Sequence, residues 1–302
     1  MTGPATGTDP TVWRLDRGPL QARILPQQGG RLAVLRFRGV DAIVPPGRVP
    51  GFWGDTFWPS PQSLFDWPPP ATLDGAPYEV LGAGPDRIAL RSRPDARLGL
   101  QVEKLCVVGD DAVGFAFTLG NVGRQPRGVA PWQVTRAPRA GLLVWQPGQR
   151  FDDDDRVVKH VEDPGCWYWH DRLPDFAGHE QIHGHAAIRV PDVTTTSKFF
   201  TDARGWAAHV HSGLVVLRIF PDIEPDQMAP RQAELELFFG LERDYIEVEN
   251  QGPYRALEPG EALTYHVEWR IASLPPGIPA DRLTPELVDL IEQMRRRPAL
   301  LR

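Results

Sequence analysis

The stretch Tyr245-Ile246-Glu247-Val248-Glu249-Asn250-Gln251-Gly252-Pro253-Tyr254 puts two carboxylates and an amide on one side of an otherwise apolar strand. Side chains of an extended chain alternate between faces. Over 245–251, Ile246 and Val248 therefore point one way while Glu247, Glu249 and Gln251 point the other. An acidic row of this kind is either an exposed sheet edge or the wall of a polar cleft, and the choice decides whether the chain has a site to offer.

The same period-two pattern recurs outward from this strand, broken by turn residues. Segments 11–17, 20–25 and 31–38 read as successive strands separated by Gly18-Pro19 and Gly29-Gly30. Leu73-Asp74-Gly75-Ala76-Pro77-Tyr78 carries the Asp-Gly signature of a tight hairpin. Leu98, Leu100 and Val102 alternate with polar partners, and Asp110-Asp111 turns the chain into Val113, Phe115, Phe117 and Leu119. The run 214–220 is apolar except for Arg218, which predicts a strand buried on both faces. Leu235 and Leu237 oppose Glu234 and Glu236, and Leu263, Tyr265, Val267, Trp269 and Ile271 share one face of a last strand. One segment is helical: Thr284 as N-cap, Pro285 at the first position, Leu287, Leu290, Ile291 and Met294 on one stripe, and Arg295 to Arg297 at the end where the dipole favours cations. Residues 41–72 and 147–190 show few regular runs and read as long aromatic-rich loops, a kind of segment that tends to be functional.

The expected fold is all-β: a large antiparallel β-sandwich spanning 11–302 as one domain, with a C-terminal amphipathic helix over 284–297 and a flexible stretch over 1–10. Its 32 Pro and 29 Gly, set against 41% hydrophobic residues, mean many turns between short strands rather than disorder. A net charge of −6 argues against a nucleic-acid binder, and no segment has the length of a membrane-spanning helix. Met1 to Pro10 lacks the charged and apolar regions of a signal peptide, and Cys106 and Cys166 form no disulfide framework. The expectation is a cytoplasmic protein with no cofactor, no nucleic-acid partner and no membrane partner; its oligomeric state stays open.

Ten Trp suit both a large β core and a cleft that stacks on ring ligands such as sugars. Within fifteen residues the chain places Trp53, Asp55, Trp58, Gln62, Asp66 and Trp67, in which rings suit the C–H faces of a sugar and polar groups its hydroxyls. The competing reading is a rigid cover over one end of the sandwich. Histidines cluster as His179, His183-Gly184-His185 and His209-Val210-His211, but a third ligand at metal-site spacing is missing, so no metal is assigned. Asp152 to Asp155 lacks the EF-hand pattern and reads as a solvated acidic loop. Phosphate loops, Gly-x-Ser-x-Gly elbows and His-Glu-x-x-His are absent from the sequence.

Three landmarks together resemble the galactose-mutarotase-like (aldose 1-epimerase-like) superfamily, and more closely an uncharacterised bacterial branch of it. They are Gly29-Gly30-Arg31-Leu32 before a strand, the central Ala130-Pro131-Trp132-Gln133-Val134-Thr135-Arg136, and Glu249-Asn250-Gln251 ahead of Pro259-Gly260 and a strand ending in Trp269. Their order covers roughly residues 20–272. The resemblance implies a β-supersandwich whose concave sheet binds a sugar. It also implies that the Glu of a Glu-x-Gln strand motif takes a proton from the anomeric hydroxyl while a His donates to the ring oxygen. Glu249 matches that glutamate and Gln251 completes the motif. The segment 131–136, where the superfamily carries its acid His, has none here, and the arginine-bearing sugar motif near the start is replaced by the Trp-Gly-Asp-Thr-Phe-Trp loop. The resemblance therefore leaves Glu249 as base with His209, His211, His183 or Asp55 as replacement acid, Trp53, Asp55, Trp58, Gln62, Trp132 and Gln251 as sugar contacts, and Arg136 as a holder for an anionic group.

Three functional readings follow: a sugar epimerase or mutarotase using Glu249 with a relocated acid such as His209 or His211; a non-catalytic carbohydrate-binding or sensing protein on the same scaffold; and a sugar lyase or glycoside-cleaving enzyme, which needs paired carboxylates at hydrolytic separation.

Overall fold

The structure is a computed structural model that describes residues 12–148, 156–160, 167–172, 179–182, 184–194, 196–240 and 243–301. Among the described residues two large antiparallel sheets lie face to face, one of 12 strands and one of 10. In the first sheet the path runs Trp13–Arg17, Leu20–Leu25, Arg31–Phe37, Asp55–Ser60, Arg127–Pro138, Tyr245–Gln251, Leu235–Phe239, Ser197–Thr201, Arg156–His160 and Trp167–Arg172. The strand Tyr245–Gln251 is thus central, flanked on both sides, and its acidic row is no exposed edge. This is the large antiparallel β-sandwich that the alternation of the strands predicts.

Register decides which side chains meet, because directly opposed residues of an antiparallel pair share a face. On the inner face of the first sheet, Asp55, Thr135, Val248 and Leu237 form one cross-strand row, and Phe57, Gln133, Asn250 and Leu235 the next. These meet the inner face of the second sheet, where Tyr265, Val267, Trp269 and Ile271 join Phe115 and Phe117 in one continuous buried cluster. The strand Ala262–Ser273 therefore carries the apolar face its alternation predicts, and Leu214–Ile219 is buried almost throughout.

The helix forms at Pro285–Arg295, with Thr284 accepting the Leu287 N–H at 3.3 Å. Leu287, Val288, Ile291 and Met294 cover the outer face of the second sheet against Trp206, Ala208, Val215 and Leu217. Its C-terminal carbonyls are met from the sheet, where Arg270 donates to the carbonyl oxygens of Met294 and Arg295.

Three expectations need correction. The Leu73-Asp74-Gly75 segment is not a hairpin: Ala71–Asp74 is one helical turn ending at Gly75. Its Asp74 carboxylate anchors Arg31 (3.2 Å) and Trp58 Nε1 (2.7 Å), and the Asp74 carbonyl crowds the Gly29 turn so closely that a Cβ there would sit 1.8 Å from it. With φ at +69°, position 29 requires glycine on both counts. The Trp-rich segment after Trp53 is not wholly loop, because Asp55–Ser60 is a strand with every residue buried. Covered on both faces, it shows no polar alternation to read. The described residues of 147–190 likewise form four strands: Arg156–His160, Trp167–Arg172, His179–Ile182 and His185–Arg189.

Thr284→Ala removes the side-chain cap and is expected to lower stability by about 1 kcal/mol in urea denaturation. An unchanged midpoint would mean that packing alone holds the helix.

Candidate functional site

The outer face of the first sheet carries the polar row. Here the register sets Trp58, Trp132 and Gln251 side by side, then Thr56, Val134, Glu249 and Glu236, then Arg136, Glu247 and Phe238. Lys198 lies opposite Phe238 and Phe200 opposite Glu236. Val134 lies in the middle of these rows and is fully buried. Above it opens a cleft of ≈ 740 Å³ lined by Phe52, Trp58, Gln62, Trp67, Trp132, Lys198, Phe200, Arg231, Gln232, Phe238, Arg243, Glu247 and Glu249. That volume lies within the roughly 300–1,000 Å³ typical of small-molecule sites.

One ammonium organises the cleft floor. Lys198 Nζ lies 2.6 Å from Glu236 Oε2 and 3.0 Å from Glu249 Oε2. Trp132 Nε1 donates to the same Glu249 oxygen at 2.9 Å, while Glu249 Oε1 is buried with no hydrogen-bond partner among the described residues. Glu236 is held from behind by the Ala233 N–H (3.0 Å) and Gln251 Nε2 (2.7 Å), and Ser60 Oγ donates to Gln251 Oε1 at 2.6 Å. Two carboxylates thus share one cation in a water-poor setting. Burial pushes Glu249 up to about 8 against the pull of Lys198, with Glu236 and Glu247 adding repulsion. Burial raises Glu236 as well. Burial alone would lower Lys198, but the two carboxylates outweigh it and hold its pKa above the ordinary lysine value.

A second ion pair sits alongside. Arg136, nearly fully buried, donates from Nε to Glu247 Oε1 (2.9 Å) and from an Nη to Thr56 Oγ1 (2.6 Å), and its guanidinium lies 5.1 Å from the Trp58 ring. Trp58 meets Trp132 edge-on at 5.3 Å between centroids, and Trp67, 59% exposed, stands edge-on to Trp58 at 6.1 Å. Lys198 Nζ also lies over Trp132 at 5.1 Å and Phe200 at 5.4 Å.

Of the residues singled out from sequence, the structure brings Trp58, Gln62, Trp132 and Glu249 to the cleft. Gln251 and Arg136 sit just beneath it, holding Glu236 and Glu247. The others lie elsewhere. Asp55 faces the space between the sheets, where Gln133 (2.8 Å) and Thr135 (2.7 Å) donate to it and burial raises it to about 6. Trp53 packs under the Arg31 guanidinium at 4.5 Å and does not line the cleft. His209 and His211 occupy the strand Trp206–His211 of the second sheet, both fully buried, with His209 Nε2 2.7 Å from the Ala140 carbonyl oxygen. Alternation points them inward, toward the face of the first sheet that carries Asp55, so a whole sheet separates them from Glu249. Burial lowers both, His211 to about 4, and they stay neutral near pH 7. They cannot serve as acid to Glu249. Arg136 is neutralised by Glu247 and is no open anion holder. His183, Cys166, Asp152 to Asp155 and the His179 side chain fall outside the described residues. His185 lies against the helix, 3.8 Å from Glu292. Cys106 is a buried free thiol. Among the described residues no helix is long and apolar enough to cross a membrane.

Lys198 and Glu236 escaped the sequence reading. A trace was present, since Glu236 sits between two leucines of a strand that pairs on both sides, but their convergence depends on pairing partners far apart in sequence.

The raised carboxyls have a consequence for stability. Glu249 and Glu234 both stand near 8, each chiefly through burial. The folded state therefore keeps protons that the unfolded chain, with carboxyls near 4.5, has released. Their contribution is complete below about pH 4.5 and lost as pH rises through about 8, each at up to about 1.4 kcal/mol per pH unit. His209 and His211 act only below about pH 6.5, where both states begin to differ in imidazole charge. Stability is thus expected to fall between pH 6.5 and 8, and Glu249→Gln to flatten that slope in denaturant titrations. A variant curve parallel to the wild type would show that Glu249 titrates in the ordinary carboxylate range.

The sandwich resembles several solved structures. A galactose mutarotase-like protein from Lactobacillus casei superposes with a TM-score of 0.63 at 10% identity, over 86% of this chain and 100% of that one. A candidate aldose 1-epimerase from Escherichia coli K12 gives 0.63 at 14% identity, covering 87% and 99%. An aldose epimerase homologue from C. elegans gives 0.57 at 12% identity, covering 87% and 99%. At such identities the likeness establishes the fold. No curated protein matches the sequence. The model of one protein family, described as a domain of unknown function (DUF4380), matches residues 60–272, which takes in the cleft strands from Arg127–Pro138 through Tyr245–Gln251. By that match the chain belongs to the DUF4380 family.

Proposed function

We propose that this protein binds a saccharide in the cleft and interconverts its anomers, with Glu249 as the general base. The observation that carries this reading is the Glu249 carboxyl itself: it belongs to a residue lining a cleft walled by Trp58, Trp132 and Trp67, one of its oxygens is buried without a hydrogen-bond partner among the described residues, and its pKa is near 8. A group that must take a proton and return it works best with a pKa near the ambient pH.

The acid at hand is Lys198, 3.0 Å from the base. The anomeric hydroxyl and the ring oxygen of a hemiacetal are bonded to the same carbon, so an adjacent base and acid suit them. Glu249 accepts the hydroxyl proton and forms its new O–H bond as the C1–ring oxygen bond breaks. Lys198 gives a proton to that oxygen as its N–H bond breaks. Rotation about C1–C2 follows, and reclosure runs the same transfers in reverse. Lys198 holds its proton tightly, so donation is coupled to the arrival of a proton on Glu249. Glu236, itself held by Gln251, holds the lysine in place.

A second reading, sugar binding without chemistry, is favoured by one feature: Lys198 is locked between two carboxylates, the arrangement of a structural ion cluster. Glycoside cleavage draws no comparable support, since Glu236 is fully buried behind Lys198 and does not line the cleft beside Glu249.

Exchange between anomers, followed by magnetisation-transfer NMR on galactose and glucose, is expected to be accelerated by the wild type. The rate should rise with pH through about 8 as Glu249 ionises. Glu249→Gln should lower it by about 10²–10⁴-fold, the usual worth of general acid–base catalysis, while leaving tryptophan quenching by sugar in place. Quenching without accelerated exchange in the wild type would establish the binding-only reading.

Lys198→Met leaves two buried carboxylates without their cation. Loss of one member of such a cluster is expected to cost about 3–5 kcal/mol, and the loss should shrink toward acidic pH as one carboxyl takes a proton. Equal destabilisation at pH 5 and pH 8 would contradict the shared-cation account.

A further inference from the structure

The cations of the cleft are not all accounted for by its anions. Arg136 is committed to Glu247, and Lys198 to Glu236 and Glu249. Arg231 and Arg243 also line the cleft, and neither has a carboxylate partner among the described residues. Two such guanidinium groups stand out in a chain of net charge −6.

Arg243 is held in place. The Arg243 guanidinium stacks 4.2 Å from the Phe52 ring and donates to the Tyr245 hydroxyl, while Phe52 stacks on Tyr245 at 5.5 Å. Arg231 has φ at +64°, a left-handed backbone that a residue with a Cβ adopts at a cost and that recurs at ligand clamps. They mark opposite ends of the cleft. Arg243 sits beside Tyr245, the first residue of the central strand, and Arg231 precedes Gln232, whose Oε1 accepts from Gln251, the last. Six strand steps separate those ends, about 20 Å at ~3.3 Å per residue. Glu249 lies between them.

We infer that the cleft takes an acidic oligosaccharide of more than one ring, carrying carboxylate or sulfate groups that Arg243 and Arg231 hold at the two ends while a central ring lies over Trp132 and Glu249. This rests on the saccharide reading proposed above and adds the charge and length of the ligand. A guanidinium suits either anion, because both offer paired oxygens to its fork of N–H groups.

The test is calorimetric titration of the full chain with trigalacturonate, monomeric galacturonate, neutral galactotriose and a sulfated galactose trisaccharide. Trigalacturonate or its sulfated counterpart should bind at least about tenfold tighter than both the monomer and the neutral trimer, with the better of the two naming the anion, and its affinity should fall with added salt. Arg231→Gln and Arg243→Gln should each weaken the acidic trimer about tenfold or more and leave galactotriose unchanged, which also shows that the variants fold. If either fails to fold, the wild-type comparison and its salt dependence decide alone. Galactotriose binding as tightly as both acidic trimers would overturn this inference and leave the saccharide reading standing. Binding of none of the four would overturn both.

Discussion

The site depends on one lysine shared by two glutamates. Lys198 Nζ bridges Glu236 and Glu249 within 3.0 Å on the outer face of a sheet whose inner face is core. Placing three charges where water is scarce costs several kcal/mol per ion unless each has partners. The surrounding residues supply them: the Ala233 amide and Gln251 to Glu236, Trp132 to Glu249, Ser60 to Gln251. Burial, with repulsion from Glu236 and Glu247 added to it, outweighs the pull of Lys198 and keeps Glu249 near 8 rather than in the ordinary carboxylate range. The same burial gives the carboxyl its chemical use and makes the folded state sensitive to pH.

The sandwich exists to set this register. Glu249 meets Glu236 because Leu235–Phe239 pairs with Tyr245–Gln251 in one register only, and a slip by one residue would send Glu249 inward among Val248's neighbours. The inner face prevents that slip, since Phe57, Val248 and Leu237 fill the space against Phe115, Phe117 and Tyr265. Packing on one side of the sheet therefore fixes chemistry on the other. Asp74 plays a similar part at the rim, where its bond to Trp58 Nε1 orients a ring that forms the cleft wall.

Much of the fold was legible because its strands alternate. The face of Ala262–Ser273, the buried run of Leu214–Ile219, the polar row of Tyr245–Gln251 and the capped helix all follow from period and punctuation. Asp55–Ser60 was not legible, since a strand buried on both faces has no polar phase, and its Trp58-Pro59 pair imitates a loop. The site was half legible. Alternation puts Glu249 on the polar face, and likeness to a sugar-binding superfamily singles it out. Lys198 and Glu236 were hidden because they reach Glu249 over sequence separations of 51 and 13 residues, Glu236 through direct strand pairing and Lys198 from one strand further. His209 and His211 misled for the converse reason. A His-x-His pair on a strand does share a face, but sequence does not say whether that face looks into a cleft or into the core.

Titration of the Glu249 carboxyl by ¹³C NMR, assigned by its absence in Glu249→Gln, tests the central claim most directly. The account predicts an inflection near pH 8, displaced when a saccharide enters the cleft. An inflection in the ordinary carboxylate range near pH 4.5, unmoved by saccharide, would contradict it.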